Sequence, residues 1–554
     1  MRPRGDKKCG HHEVIVLRSV PLHRQRRCYH LAFHTVDELP ERKLIGMIEK
    51  LAASIERHVG RVLGPAVSPV LHGRRARTLR HASIDPAAER RARDSWWGDD
   101  PRWFPGGTPP RQLNRITPLI DGDAFFDRLY TELKAAEHYV YVTGWCLTPY
   151  VPLIRGTVED QLHSRLLVVL SEAAKRVPVR ILLWSGAPFI IQPTRSVVKE
   201  TQRLFRERAS GDLVCALDNT AHLSHCHHQK AIVIDGQRAF VGGMDLTTFA
   251  GDRWDEHSHG LRAGTNWHDV EALIEGEAVG DVEENFRQRW TAVTGDTRLP
   301  HRPPAADPAW ATPAQIVRTI PRKTYDFAPD GEFGIHHVYT EAIRRARRLI
   351  YLETQYLWSP EIMEALISAM NTNHEEPFRI VVVLPARATS GKWDNDRHVA
   401  KLREADGGRG IAEVYSLYAS GPNSGVVPFQ YRPTYVHAKV GIMDDEWLTI
   451  GSANLNTRGL VTDSELNVVA CDAGLAKALR TDLWAEHLRL QREAIAEEDP
   501  IKLIDTVWRQ SAADNAAVIR EAQAPLLSQV HRYEVGRAPG ASLLEESEAL
   551  TFEH

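Results

Sequence analysis

The sequence predicts an α/β protein made of two similar α/β/α sandwich halves, with a basic N-terminal extension. Residues 222–247 and 431–456 both carry the pattern H-x-K-x-x-x-x-D, which indicates an internal duplication. In both halves, stretches with helical periodicity alternate with short apolar runs, as expected of a central sheet buried on both faces. The run VYVTGW precedes the first motif by about as many residues as IYLETQY precedes the second, so the repeat extends over whole halves.

The two motifs agree well beyond their histidine and lysine. Counted from each histidine, a glycine follows after 14 residues, an Asp or Asn after 17 and a leucine after 18. A single H-x-K would be a chance match, but two copies that agree at six offsets make an internal duplication the better explanation. The matching residues are His228, Lys230, Asp235, Gly242, Asp245 and Leu246 in the first copy, and His437, Lys439, Asp444, Gly451, Asn454 and Leu455 in the second. Gly243 and Ser452, which follow the two glycines, are predicted to be structural with Gly242, Asp245 and Gly451.

Length and composition describe an ordinary globular protein with an uneven charge. A chain of 554 residues has room for several domains, and its 43% hydrophobic and 25% charged residues exclude a fibrous or broadly disordered protein. The net charge of -3 hides an asymmetry, because residues 1–110 hold 21 basic and 12 acidic side chains and the remainder holds 48 and 60. The body is therefore acidic and the N-terminal extension basic.

The cysteines and the apolar segments indicate the compartment. The six cysteines show no C-x-x-C spacing and are expected to be free thiols in a reducing environment. No apolar stretch has the length of a secretory signal or of a transmembrane helix. We expect a cytoplasmic monomer that is peripheral at membranes, with export without a signal as the alternative.

The N-terminal extension, residues 1–110, carries few clear structural signals. Apolar residues recur at helical spacing in residues 40–62, which predicts one helix there. The arginine-rich segment 72–93 allows two interpretations, a solvated basic segment or a contact with a phosphate-rich surface. The Pro- and Gly-rich segment 96–112 is predicted to be a linker whose tryptophans pack on the body.

The predicted halves occupy residues 111–300 and 301–490, and a helical and then flexible tail occupies residues 491–554. The first half is predicted to have helices at 121–138, 162–175 and 196–209 and strands at 139–147 and 179–184, followed by the motif strand. The second half repeats this series, with helices at 335–348, 360–370 and 396–405 and strands at 350–358 and 379–385.

The residue types of the motifs favour an anion over a metal ion. If each H-x-K lies in a strand, the histidine and the lysine two residues later point to the same side. The lysine ammonium repels a cation, and no carboxylate triad accompanies the histidine. Two such pairs brought face to face would hold a phosphodiester between two imidazoles and two ammonium groups. The sequence therefore predicts a site with no metal and no other cofactor.

Such a pocket predicts nucleophilic and acid–base chemistry on phosphorus. One neutral imidazole attacks phosphorus while the other, protonated, gives its proton to the departing alkoxide, because the ordinary imidazole pKa of about 6.5 permits both states near neutrality. The two lysines, with Asn454 and Ser452, would stabilise charge on the non-bridging oxygens.

Acidic residues near the motifs divide into two groups. Asp235 and Asp444 have the opposite parity to the histidines and are predicted to be structural, at the end of each motif strand. A carboxylate on the second ring nitrogen fixes a histidine tautomer, and the candidates are Glu465 after the second motif and Asp269 after the first. Asp269 has an alternative as a solvent-facing strand residue. The other nearby histidines are predicted to have positioning or surface roles: His222, His225, His227 and His268.

With these residues in place, the chain resembles the phospholipase D superfamily, whose mark is a duplicated H-x-K-x4-D motif. The resemblance covers roughly residues 114–490 and includes VGGMDL, WHDVEALIEG, NFRQRW, IYLETQYLW, GSANLNTRG and LWAEHL, which are similar to the phospholipid-cleaving branch. That branch implies the phospholipase D fold, in which the motifs of two halves meet at a pseudo-twofold interface. The N-terminal extension departs from the plant and animal members, because neither a calcium-binding lipid module nor a phosphoinositide-binding module is visible in it.

The resemblance implies a phospholipase D, which hydrolyses the distal phosphodiester bond of glycerophospholipids to phosphatidic acid and a free headgroup. His228 would attack phosphorus to form a phosphohistidine, and His437 would protonate the leaving alcohol and then activate water. Lys230, Lys439 and Asn454 would hold the phosphate. An added alcohol in place of water would give transphosphatidylation. The implied partner is phospholipid at a membrane surface.

Three alternatives stay open at the level of the sequence. Nucleases of the same superfamily apply this chemistry to nucleic acid, but the acidic body argues against a polyanion, so no nucleic acid partner is expected. Cardiolipin-synthase-like phosphatidyl transferases are the second, although such relatives usually carry N-terminal membrane spans. A lipid-binding scaffold without activity is the third, and the presence of both histidines and both lysines argues against it.

Overall fold

A computed structural model of the chain describes residues 13–19, 29–35, 90, 94–97, 100–187, 193–222, 225–249, 251–372, 377–388 and 391–536. Strands β1 (Glu13–Ser19) and β2 (Tyr29–Thr35) pair antiparallel in one compact unit, whereas all elements introduced below belong to a second unit. The helix predicted at 40–62 and, apart from Arg90, the basic segment 72–93 lie outside the described residues.

The first half is built on a seven-stranded mixed sheet, called sheet A. Its strands are β3 (Asn114–Ile120), β4 (Val140–Gly144), β5 (Val179–Trp184), β6 (Leu213–Asp218), β7 (Ala231–Ile234), β8 (Arg238–Gly242) and β10 (Val270–Gly276), in the spatial order β3, β10, β8, β7, β4, β5, β6. The short strand β9 (Asn266–His268) comes from the same half of the chain but joins the other sheet.

The second half is built on an eleven-stranded sheet, called sheet B. Its own strands are β11 (Ala314–Ile320), β12 (Glu332–Phe333), β13 (Leu349–Glu353), β14 (Arg379–Val383), β15 (Ala412–Pro422), β16 (Phe429–Val436), β17 (Val440–Met443), β18 (Trp447–Gly451), β19 (Glu465–Ala470) and β20 (Val530–Arg532). The spatial order is β12, β11, β19, β18, β17, β13, β14, β15, β16, β9, and β20 pairs with β15.

Seven strands of sheet B repeat sheet A in order and direction. The series β11, β19, β18, β17, β13, β14, β15 corresponds to β3, β10, β8, β7, β4, β5, β6. From β3 to β4 in sheet A and from β11 to β13 in sheet B, neighbouring strands are antiparallel. The last three strands of each series, β4, β5 and β6 or β13, β14 and β15, are parallel to one another. The prediction of an α/β protein with two similar halves is therefore confirmed.

The helices cover the sheets and connect the strands. They are α1 (Asp121–Lys134), α2 (Val158–His163), α3 (Leu166–Ala174), α4 (Arg195–Arg208), α5 (Ala278–Thr294), α6 (Gly334–Arg345), α7 (Pro360–Asn371), α8 (Lys392–Asp406), α9 (Ala473–Leu488), α10 (Arg492–Glu497), α11 (Pro500–Leu503) and α12 (Arg509–Glu521). Two π-helical turns span Arg458–Thr462 and Ile504–Trp508. The predicted tail thus contains three of these helices and, unpredicted, the strand β20.

Side-chain hydrogen bonds explain why two predicted elements end early. The helix predicted to reach residue 138 ends at Lys134, because the backbone N–H groups of Glu137 and His138 donate to the carboxylate of Asp235. The strand predicted at 139–147 ends at Gly144, and the next two N–H groups donate to Asp245. The helix predicted at 162–175 is instead two helices, because Arg165 between α2 and α3 has a non-helical backbone.

Three hydrophobic clusters form the layers of the body. The central cluster contains residues of both sheets, such as Val241 and Ile450, with Trp290 of α5 and Trp484 of α9. Another lies between sheet A and helices α1 and α3, and a third between sheet B and helices α6 and α7. The two sheets thus share one buried core, which fixes the halves relative to each other.

Smaller features of the sequence have mixed outcomes. In the predicted linker, Trp97 and Trp103 pack into the cluster of the second half, whereas Trp96 is 57% exposed. Four cysteines are free thiols, and Cys9 and Cys28 lie outside the described residues. Across the part of the chain that the structure describes, every helix is too short or too polar to cross a bilayer.

Candidate active site

The two H-x-K motifs lie where the halves meet. His228–Lys230 comes directly before β7, and His437–Lys439 directly before β17. The backbone N–H of His228 donates to the carbonyl of Ser464 of the other half at 2.8 Å, and that of His437 donates to the carbonyl of His268 at 2.8 Å. Strand β9 also pairs in parallel with β16, so a segment of the first half completes the second sheet beside His437.

The prediction that each histidine and lysine lie within a strand is wrong in detail. Both pairs occupy an irregular segment, because the histidine N–H bonds across the interface and no ladder forms until residue 231 or 440. The side chains still lie close enough to interact, since burial and then Lys230 and Lys439 lower the pKa of His228. Burial lowers the pKa of His437 as well, followed by Lys439, Arg253, Lys230 and His228.

Each histidine is held by a carboxylate of the opposite half. The Nδ1 of His228 lies 2.9 and 3.0 Å from the two carboxylate oxygens of Glu465, and the Nδ1 of His437 lies 2.6 Å from Asp269. Asp269 is fully buried, so the alternative of a solvent-facing strand residue does not apply. With Nδ1–H donating to a carboxylate, the Nε2 atom of each ring is left to act on a substrate.

The two carboxylates occupy equivalent positions in the two sheets. Gly242 is the register partner of Glu271, and Gly451 is the partner of Asn467. Asp269 precedes Glu271 by two residues, as Glu465 precedes Asn467. We call the pairs His228–Glu465 and His437–Asp269 the two dyads. In each dyad the histidine comes from one half and the carboxylate from the other, as a twofold arrangement of the duplicated unit requires.

The lysines are buried and differ in their surroundings. Lys230 Nζ donates to the His228 carbonyl at 2.8 Å and lies 3.2 Å from the Asp245 carboxylate. Lys439 Nζ donates to the His437 carbonyl, and the residue equivalent to Asp245 is the neutral Asn454. Burial lowers the pKa of Lys439 to about 7. Lys439 therefore loses its proton at a lower pH than an ordinary lysine does.

Burial also sets the protonation of the dyads. It lowers the pKa of both His228 and His437 well below the ordinary value, and the neighbouring lysines add to this effect. It raises the pKa of Asp269 and, more strongly, of Glu465. Both imidazoles are therefore neutral near pH 7 before an anion enters, which is the state that a nucleophile needs.

Small residues make room for the carboxylates. A Cβ on Gly243 would lie 2.1 Å from Oδ1 of Asp269, and the next two nearest atoms belong to the same carboxylate. The equivalent residue Ser452 donates its hydroxyl to Glu465 at 2.5 Å. Added Cβ atoms would come within 2.3 Å of Glu271 at Gly242 and 2.2 Å of Asn467 at Gly451. Gly243 thus leaves space for Asp269 itself, and Gly242 and Gly451 leave space for the residues two positions after Asp269 and Glu465.

Three further polar residues complete the motif set. Asn454 is 5% exposed, its Nδ2 lies 3.5 Å from Gln355, and its Oδ1 has no hydrogen-bond partner among the described residues. Asp235 accepts from the N–H groups of residues 137–139, and Asp444 accepts from those of residues 347–349. Both aspartates face backbone and not the pocket, so their role is structural.

Aromatic rings stand beside both imidazoles. The ring of Trp145 lies edge-on to His228 at 6.2 Å, and that of Trp267 lies 5.0 Å from His437. Trp267 is stacked on Tyr435 at 4.8 Å. The lysine Nζ and histidine Nε2 atoms of the two motifs thus lie near aromatic side chains, where charge–charge interactions are stronger than in water.

The other histidines near the first motif have structural partners. His227 is buried, with Nε2 3.0 Å from Asp218 and Nδ1 2.8 Å from Ser464. His222 Nε2 donates to the backbone carbonyl of Arg322 at 3.1 Å, and His225 is buried. His268 is fully buried, with Asp121 2.9 Å from Nδ1 and Glu353 2.8 Å from Nε2.

Sequence reasoning missed the exchange of partners and the aromatic walls. It also missed a buried group of histidines and carboxylates around His268, although WHD, LETQY and AEHL each contribute a member. The pairing of acidic and histidine residues within those short segments was the available signal. Which carboxylate meets which imidazole depends on strand register between distant segments, which spacing alone does not reveal.

Comparisons with known proteins agree with this arrangement. A family model described as Phospholipase D matches residues 132–266, and one described as Cardiolipin synthase, PLD-like domain, matches residues 339–486. Each model covers one of the two motifs, so both halves are matched independently.

Relatives along the whole body are distant. The chain is 25% identical to Phospholipase D A of Dictyostelium discoideum, over 69% of this chain and 36% of that protein. It is 24% identical to Phospholipase D alpha 4 of Arabidopsis thaliana, over 68% of this chain and 65% of that protein. It is also 24% identical to Cardiolipin synthase A of Pseudomonas aeruginosa, over 68% of each. The matched region thus spans about a third of the length of the Dictyostelium protein and just under two thirds of the length of the Arabidopsis protein.

Proposed function

Because the chain belongs to the phospholipase D superfamily, we propose that it is a phospholipase D that cleaves the distal phosphodiester bond of glycerophospholipids. The products are phosphatidic acid and the free headgroup alcohol. The substrate is presented at a membrane surface. The similarity to named phospholipases D supports the substrate class, and the site supports the chemistry.

The observation that carries the proposal is the pair of exchanged dyads. His228 with Glu465 and His437 with Asp269 place two oriented imidazoles in one buried site that also holds two lysine ammonium groups. A phosphodiester carries one negative charge and two bridging oxygens. It matches a site with two cations to neutralise charge and two rings to act on opposite sides of phosphorus.

In the first step, Nε2 of His228 attacks phosphorus and the bond to the headgroup oxygen breaks. Glu465 on Nδ1 stabilises the positive charge that the ring acquires. His437 gives a proton from Nε2 to the departing alkoxide, and the anionic substrate favours the protonated state of that ring. Lys230, Lys439 and Asn454 bind the non-bridging oxygens.

In the second step, His437 is neutral and removes a proton from water, which attacks the phosphohistidine. The bond from phosphorus to His228 Nε2 breaks, and phosphatidic acid leaves with the enzyme restored. Water attacks phosphorus from the side on which the headgroup alcohol departed. A primary alcohol in that place would give a phosphatidyl alcohol instead.

Phosphatidyl transfer to a physiological alcohol is the second candidate function. It is favoured by the match of residues 339–486 to the cardiolipin synthase model and by the similarity to a cardiolipin synthase. Both reactions share the first step and differ only in the acceptor. The comparison of water with phosphatidylglycerol as acceptor distinguishes them.

The proposal is tested with vesicles of phosphatidylcholine and phosphatidylethanolamine containing a little ethanol, in EDTA and separately in calcium. We expect the wild type to form phosphatidic acid and phosphatidylethanol, and the His228→Ala variant to form neither. Mass spectrometry of the lipid extract gives both products. Cleavage of DNA in a His228-dependent way, without any lipid product, would replace the substrate class with nucleic acid.

A further inference from the structure

A second cluster of histidines and carboxylates lies behind the His437 dyad. It contains Asp121 at the start of α1, His259 in the segment before β9, His268 at the end of β9, and Glu486 in α9. The side chains of all four have no solvent exposure. His268 directly precedes Asp269, the partner of His437, so the cluster underlies the site without reaching the reacting atoms.

The four groups converge with the spacing of metal ligands. Around the cluster, His268 Nδ1 lies 2.9 Å from Oδ1 of Asp121 and 3.2 Å from Oε1 of Glu486. His259 Nε2 lies 3.0 Å from the same Oε1 of Glu486 and 3.4 Å from the other oxygen of Asp121, Oδ2. Donor atoms bound to one tetrahedral zinc ion at about 2.0–2.1 Å are about 3.3 Å apart, and the four distances lie near that value with Asp121 offering one oxygen or the other. All four donor atoms lie within 4.8 Å of one another.

Protons alone do not account well for these contacts. His268 Nδ1 and His259 Nε2 can each carry one proton, yet each nitrogen has two carboxylate oxygens within 3.4 Å. Two protons would therefore serve four short contacts. The buried Oδ2 of Asp121 has no hydrogen-bond partner among the described residues. The half-exposed His257 supplies a further proton, but its Nδ1 lies 2.7 Å from the other oxygen of Glu486, Oε2, outside these four contacts. A single cation between the donors satisfies all four contacts, that of Asp121 Oδ2 included.

The outer nitrogens of both rings already have carboxylate partners. His259 Nδ1 lies 3.1 Å from Asp255, and His268 Nε2 lies 2.8 Å from Glu353. Histidines that ligate metals usually donate their second N–H to a carboxylate in this way, because it fixes the tautomer and strengthens the donor. Glu353 is itself held by the hydroxyl of Tyr351 at 2.5 Å and by His487 at 2.9 Å.

We propose that Asp121, His259, His268 and Glu486 bind one structural divalent ion of the zinc class. Two imidazoles and two carboxylates in a closed, fully buried set favour zinc over calcium or magnesium, which prefer more oxygen donors. The ligands come from α1, the segment before β9, β9 and α9, so the ion ties the first half to the second. It fixes β9 and thereby the Asp269 that orients His437, and it takes no part in the reaction.

Metal content tests the site directly, independently of any lipid activity. Full-length protein purified without chelators is analysed by inductively coupled plasma mass spectrometry. We expect one tightly bound zinc-class ion per chain in the wild type and its loss in His259→Gln. The matched control is His301→Gln, which removes a half-exposed histidine that is hydrogen-bonded to Glu283, outside the proposed ligand set, and should retain the ion.

A measurement on the wild type covers the case in which His259→Gln does not fold. Protein produced in cobalt-supplemented medium should show the intense visible absorption of tetrahedral Co2+, and added zinc should abolish it. Wild type that is folded and free of stoichiometric metal, with no cobalt absorption, overturns the proposal in favour of a purely protonated network. Retention of the full metal content by folded His259→Gln overturns it as well.

Discussion

A single methyl group at Gly243 should inactivate the site through Asp269. In Gly243→Ala the new Cβ would lie 2.1 Å from Oδ1 of Asp269, whereas ordinary contact begins near 3.4 Å, so the two groups must separate by 1.3 Å. The backbone of Gly243 has an ordinary φ, so the substitution itself adds no backbone strain. The displacement therefore falls mainly on the carboxylate.

The consequence for catalysis follows from the length of the hydrogen bond to His437. That bond is 2.6 Å long, and a shift of 1.3 Å along it leaves the ring without a partner at hydrogen-bonding distance. Misplacement of a catalytic group by about 1 Å costs about 100-fold in rate, which corresponds to about 2.7 kcal/mol. We expect kcat to fall by about that factor while KM changes little, because the lysines that bind the phosphate are untouched.

Hydrolysis of phosphatidylcholine vesicles gives kcat and KM, and thermal unfolding shows whether the variant is folded. Gly280→Ala in helix α5 is the matched control, because its new Cβ would have only Pro304 nearby, at an ordinary contact distance of 3.5 Å. It should retain full activity. Folded Gly243→Ala with kcat within a factor of about three of the wild type would refute the claim that Asp269 orients His437.

Four further outcomes follow from the structure. Because burial lowers the pKa of Lys439 to about 7, its charge is lost as pH rises through that value, so a pH profile should show kcat/KM falling there, and a flat profile would contradict this. Glu465→Gln should lower kcat by about 10–100-fold in steady-state assays by removing the carboxylate from His228. Asp444→Ala leaves three backbone N–H groups without their acceptor, so urea unfolding should show a loss of about 2 kcal/mol, and an unchanged midpoint would argue against this role. Arg289→Met removes the buried guanidinium paired with Asp218, whose carboxylate keeps only its contacts to His227, Tyr325 and Thr220 among the described residues, and should cost about 3 kcal/mol in the same assay, with no loss as the contrary result.

The duplicated architecture could be predicted because the repeat is regular in the sequence. The offset between His228 and His437 equals the offset between Asp235 and Asp444, and no insertion separates the motif strands from their aspartates. Apolar runs such as VRILLW coincide with β5 because both faces of that strand are covered. Local periodicity and spacing suffice for elements of this kind.

The exact site could not be predicted because it is assembled from long-range contacts. The bond from His228 to Glu465 joins residues 237 apart, and the pairing of β9 with the second sheet is a contact between halves. The position of helix ends also depended on distant side chains, as Asp235 shows at the end of α1. No local pattern in the sequence encodes these contacts.

The most direct test of the central claim is a burst experiment with a phosphatidyl substrate whose headgroup is p-nitrophenol, on the His437→Gln variant. This leaving group departs without a proton, so the variant should still transfer the phosphatidyl group to His228 and release one nitrophenolate per enzyme, and then stall because no base activates water. Peptide mapping should find the adduct on the peptide that contains His228. A variant that turns over steadily, or an adduct that persists when His228 is also replaced by Ala, would contradict the division of roles between the two dyads.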